Sequence, residues 1–175
     1  SMTTKHYLLL SLLISSFFFA LMETTSPHTF LKDDNRNQLL PVILEGMDQL
    51  FHGHLPVFNH HQYTGTPLLE YGVYAVLYPP LILSYAISTY IFHNPFRTLE
   101  LFLLIHFLLG CFFMFTYLAS RRIDPLTSLI GALSFTFSGY AISASSSWYY
   151  VAPLLPFLPL IFTLHDKLAT SPRLR

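Results

Sequence analysis

Four apolar stretches, Tyr7 to Met22, Leu99 to Ala119, Leu126 to Ala144 and Tyr149 to Leu164, decide what this chain can fold into. About 20 residues of helix cross the roughly 30 Å of bilayer hydrocarbon, where only helices and closed barrels satisfy their own backbone. Four runs near that length predict an all-α fold, a polytopic membrane helix bundle. The composition agrees: 53% of residues are hydrophobic and 10% charged, with a mean hydropathy of +0.49, whereas soluble domains carry about 25% charged residues. A formal net charge of zero without a basic stripe argues against nucleic acid as a partner.

A fifth stretch, Val73 to Phe92, is about long enough to span, but Pro79 and Pro80 interrupt it. Basic residues arbitrate. With Lys5 in the cytoplasm and this stretch spanning, Arg121, Arg122 and the tail cations Lys167, Arg173 and Arg175 would face outward, against the positive-inside tendency. Read as a surface or re-entrant segment, it leaves both clusters cytoplasmic. The expected organisation is one membrane domain over residues 1–175. Residues 7–22 form an uncleaved anchor helix, 23–98 an extracytoplasmic loop with amphipathic or interfacial helices, and 99–119, 126–144 and 149–164 three further membrane helices.

The first loop holds most of the chemistry. Gln38 to Phe51 places Leu39, Val42, Ile43, Gly46, Met47 and Leu50 at spacings of three and four, the pattern of an amphipathic helix. Pro41 suits its first turn and Gly53 its end. Asp33 and Asp34 follow the anchor directly. His52, His54, His60 and His61 are the one local concentration of metal-ligand side chains, but their spacing matches no standard zinc site. The single cysteine, Cys111, excludes an intrachain disulfide. Ser143 to Ser147 reads as a short external loop, with Trp148, Tyr149 and Tyr150 as an interfacial aromatic belt. Pro153, Pro156 and Pro159 predict bends in the last membrane helix.

The order of short motifs resembles the GT-C superfamily of membrane glycosyltransferases, and within it the YfhO-like bacterial proteins. The anchor is followed by Asp34, Gln38 and Pro41, then Gly53-His54-Leu55-Pro56, Gly65-Thr66-Pro67 and Tyr78-Pro79-Pro80. Later come the run from Ile130 to Tyr140, with Gly131-Ala132-Leu133 and Ser138-Gly139, and Leu158-Pro159-Leu160. The resemblance covers nearly all of the chain but only the N-terminal part of a family member.

That resemblance implies sugar transfer, with inversion, from a polyprenyl-phosphate donor on the extracytoplasmic face of a bacterial inner (cytoplasmic) membrane. Asp34 matches the acidic residue of the family's first external loop and is the candidate general base; Asp33 is the alternative, since the sequence does not choose between neighbours. Gln38, one turn on, is a candidate to orient Asp34. Lys32, Arg36 and Arg97 are candidates for the lipid phosphate, Arg97 the most attractive because it directly precedes a membrane helix. His60, His61 and Tyr78 complete the substrate-binding set. No metal ligands and no cofactor are assigned, although a divalent ion shared with Asp34 stays open because some superfamily members bind metal. The expected partners are the lipid-linked donor, the bilayer, and either further membrane subunits or a C-terminal part of the same protein. A non-catalytic accessory subunit of a larger membrane complex is the alternative expectation.

Overall fold

The computed structural model describes residues 3–62 and 65–169; Arg173 and Arg175 of the basic tail lie outside the described residues. The regular structure of the described residues is helical apart from one antiparallel pair of two-residue strands, β1 (Phe58–Asn59) and β2 (Thr66–Pro67). The helices are α1 (Thr4–Thr25), α2 (Leu40–Phe51), α3 (Pro79–Ala86), α4 (Thr98–Ser120), α5 (Pro125–Thr136), α6 (Gly139–Ser147) and α7 (Leu154–Ala169). Four helical stretches are long and apolar enough to cross a membrane: Thr4–Thr25, Pro95–Ser120, Pro125–Ser147 and Tyr149–Ala169. They coincide with the four apolar stretches of the sequence and run a few residues beyond most of their ends.

Val73 to Phe92 makes no such helix. Pro79 and Pro80 occupy the first turn of α3, where a missing N–H costs nothing, and the helix continues only through a π-helical turn at Ile87–Ile91. The third span is also not the single helix expected from Leu126 to Ala144. It breaks between α5 and α6, where the Ser138 hydroxyl accepts a hydrogen bond from the Ala141 amide and Gly139 begins the new helix. In the last span Pro156 lies in the first turn of α7, whereas Pro159 sits inside the helix and withholds one backbone donor.

The single domain read from the sequence resolves into two compact units. One comprises residues 1–27, 104–145 and 151–175, as far as these are described. Its centre is Cys111, Phe115, Leu129 and Ala132, against which Tyr7, Leu8, Leu10 and Leu12 of α1 pack. Small residues bring its helices together: a Cβ on Gly110 would lie 2.7 Å from Leu155, and one on Gly131 equally close to Leu118. Arg121 and Asp166 pair at 3.0 Å between the ends of α4 and α7.

The other unit comprises residues 28–103 and 146–150. These loop residues form a unit because they bury a core of their own: Phe30, Ile43, Met47, Leu68, Leu81, Phe102 and Tyr149 are fully enclosed. α2 turns Leu40, Val42, Ile43, Gly46 and Met47 inward, close to the face its periodicity predicts, while Leu50 is half-buried. Helical geometry starts earlier than expected, through a π-helical turn at Asn35–Leu39. Pro41 offers no N–H to the Asn37 carbonyl and its ring crowds that oxygen, so a widened turn just ahead of it relieves the conflict.

Gly46 fixes how closely α2 approaches the 66–78 segment, since a Cβ there would stand 2.8 Å from the stiff, β-branched Val76 side chain. Gly46→Val is therefore expected to lower stability by about 1–3 kcal/mol through overpacking, read as a lower denaturant midpoint of the detergent-solubilised protein. An unchanged midpoint would mean that Val76 yields freely.

Candidate functional site

Asp33 and Asp34 acquire their geometry from the turn that carries the chain into α2. Asp33 adopts a left-handed backbone, φ 43°, a conformation Asp tolerates better than most residues, and Asp34 has already entered helical geometry. The neighbouring carboxylates consequently diverge onto different donors. The Ser147 hydroxyl donates to Asp33 Oδ2 at 2.7 Å, and the Trp148 indole N–H donates to Asp34 Oδ2 at 2.9 Å. Both carboxylates stay exposed, as does Trp148.

Asn35 holds this arrangement from below. It is fully buried, and its amide nitrogen donates to the carbonyls of Phe30 (3.0 Å) and Ser146 (3.1 Å) while its oxygen accepts from the Tyr149 amide (2.8 Å). The Lys32 amide adds a fourth bond to the Ser146 carbonyl at 3.1 Å. The segments 30–36 and 146–149 are thus laced through backbone groups, and the carboxylate donors come from the second of them. Tyr149 is a core residue here, not part of an aromatic belt: its ring lies 5.3 Å from Phe102 and its hydroxyl donates to the Val73 carbonyl at 2.6 Å. Ser143 to Ser147 belong to α6 rather than to a loop.

Gln38 does not orient Asp34, whose hydrogen bond runs to Trp148 instead. Gln38 lines a polar hollow with Asn37, Glu45, Asn59 and His61. Arg36, exposed on the π-helical turn, borders a different hollow of about 390 Å³ whose walls are Leu31, Leu40, Leu44 and Phe96. His28 stands at the same hollow, its Nδ1 2.7 Å from the buried Glu100 carboxylate in the first turn of α4. Lys32 and Arg97 are exposed, Arg97 closing the tight turn that Asn94 caps. The His60 ring packs on Phe58 at 5.0 Å. Tyr78 caps α3 and packs on Phe102 at 5.9 Å; burial raises its pKa, which keeps the phenol neutral.

The structure therefore gathers Asp33 and Asp34 with donors from residues 147 and 148, sets Arg36 at an apolar hollow and Gln38 with His61 at a polar one, and leaves Tyr78 half-buried against Phe102. Among the described residues, no three His, Cys, Asp or Glu side chains lie close enough together to hold a metal ion. Asn35, Ser147, Trp148 and Glu45 are site residues that sequence reasoning missed. Asn35 lay inside the motif that singled out Asp34, and Trp148 was legible only as an interfacial aromatic.

Fold and site together define an all-α protein with four helices suited to crossing a membrane and a second unit presenting paired carboxylates. No protein-family model matches the chain, and neither does any curated protein or solved structure.

Proposed function

We propose that this chain is the N-terminal module of a membrane glycosyltransferase of the GT-C type, taking sugar from a polyprenyl-phosphate donor on the extracytoplasmic face of a bacterial inner membrane. The observation that carries this reading is Asp34: an exposed carboxylate, oriented by the Trp148 indole, two residues before an arginine that borders an apolar hollow. In the reaction Asp34 accepts the proton of the acceptor hydroxyl through its free oxygen while the hydroxyl oxygen bonds to the anomeric carbon. The bond from that carbon to the donor's phosphate oxygen breaks, and the lipid phosphate departs with the electron pair. Attack from the face opposite the departing phosphate inverts the anomeric centre. Arg36 offsets the phosphate's charge, and Leu31, Leu40, Leu44 and Phe96 receive the first apolar part of the lipid.

Counting crossings supports this sidedness. Residues 30–36 follow the first span and residues 146–149 join the third to the fourth; their mutual hydrogen bonds require the same side of the membrane. Four crossings meet this requirement, and a fifth through residues 73–92 would violate it. Lys5, Arg121, Arg122 and Lys167 then share the opposite side, which the positive-inside tendency makes cytoplasmic.

The test is initial-rate kinetics of the protein in its native membrane, with polyprenyl-phosphate hexoses as donors. Arg36→Ala is expected to raise KM for the donor about 10- to 100-fold, the loss of one charge-assisted hydrogen bond, with kcat changed far less. An unchanged KM would take the lipid phosphate away from this hollow. Absence of transfer from every donor in the series by folded wild-type protein would overturn the enzyme reading and favour an accessory subunit.

A further inference from the structure

The polar hollow between α2 and the β1–β2 hairpin has an unusual inventory. It measures about 290 Å³, and Asn37, Gln38, Glu45, Asn59, His61 and Gln62 line it. Several of these groups have hydrogen-bonding capacity that the described residues do not use. Gln62 Oε1 is buried without a hydrogen-bond donor among the described residues. Asn59 is only 4% exposed; its oxygen accepts from the His61 amide at 2.8 Å, leaving its NH₂ with no acceptor among the described residues. The Gln49 amide holds Glu45 in place, donating to Glu45 Oε1 at 2.9 Å and to the Phe58 carbonyl at 3.0 Å, so that Glu45 Oε2 remains for a ligand.

Unmatched donors and acceptors side by side suit groups that give and accept at once, which is the property of hydroxyls. The Pro41 and Val42 side chains supply an apolar wall for the C–H face of a ring. Among the described residues no Lys or Arg lines the hollow, and a carboxylate does. An anionic ligand would therefore bring a second negative charge beside Glu45 with no Lys or Arg among the described lining residues to offset it. We propose that this hollow is a saccharide subsite that accepts an uncharged hexopyranose and rejects a hexuronic acid. Its polar groups discriminate strongly because each is left unpaired by a ligand lacking the matching hydroxyl. The assignment rests on the transferase reading in naming the sugar of that reaction; the pocket's chemistry is independent of it.

Saturation-transfer NMR on the detergent-solubilised protein tests the proposal, with a panel of neutral methyl hexopyranosides and the matching methyl hexuronides as probes. At least one neutral glycoside is expected to bind, at least tenfold more tightly than its uronide. Gln62→Leu and Glu45→Gln are each expected to weaken that binding about tenfold. Gln62→Leu changes a loop side chain and Glu45→Gln keeps the bond from Gln49 within reach, and the circular dichroism of each variant establishes that it is folded. Binding of uronides as tight as that of glycosides, binding untouched by both substitutions, or no binding by any glycoside would overturn the subsite. Sugar binding that depends on Gln62 without any transfer activity would overturn the transferase reading alone. Transfer that is indifferent to both substitutions would overturn the subsite alone.

Discussion

Asp34→Asn is expected to slow sugar transfer about 10²- to 10⁴-fold, the usual contribution of a positioned general base. The substitution conserves shape, and the asparagine oxygen can still accept from the Trp148 indole, so the fold around the Asn35 hub has no reason to change. What is lost is a group able to take a proton. Asp33 is the natural control. It is equally exposed and also hydrogen-bonded, but its carboxylate turns toward Ser147, so Asp33→Asn should cost far less. Initial rates with saturating lipid-linked donor separate the two, because the base acts on kcat. A large loss in Asp33→Asn with Asp34→Asn near wild type would exchange their roles, and near-wild-type rates in both would leave the site without a base.

Asn35→Leu should act on the fold rather than on the chemistry. Leucine matches the volume but leaves the Tyr149 amide without its side-chain acceptor in a fully buried position and takes one donor each from the Phe30 and Ser146 carbonyls, the latter keeping the Lys32 amide. Each buried group without a partner costs about 1–3 kcal/mol, and partial rearrangement relieves some of it, so a loss of about 2–4 kcal/mol is expected. Hydrogen exchange should locate the damage, with residues 30–36 and 146–150 losing protection together and α5 little affected. Protection lost in one segment alone would contradict the hub.

These effects also mark where sequence reading stops. The four spans were legible because hydrocarbon imposes length and apolarity on a helix and both are visible in a sequence. The buried face of α2 was legible through its periodicity, and the prolines at positions 79 and 80 marked where the fifth apolar stretch fails to form one long helix. The hub was not legible. Asn35 sits beside Asn37 and Arg36 in a polar run, and nothing local distinguishes the amide that is buried from the one that is exposed. Two of its three partners, Ser146 and Tyr149, lie more than 110 residues away, and such pairings are set by tertiary packing. Of the neighbouring aromatics Trp148 and Tyr149, the second was misread, for a related reason. Aromatics next to a membrane span usually sit among headgroups, but here a second unit offers a core for one ring and a carboxylate for the other.

The central claim is that residues 33–35 and 146–149 form one site on one face of the membrane, and thiol labelling tests it without any knowledge of the substrate. In a Cys111→Ala background, single cysteines replace Asn37, Tyr150 or Arg122, all of them exposed, and a membrane-impermeant maleimide is added to sealed cells and then to permeabilised ones. The expected result is labelling at positions 37 and 150 in sealed cells and at 122 only after permeabilisation. Labelling of 37 and 150 from opposite sides would separate the carboxylates from their donors and contradict the site itself.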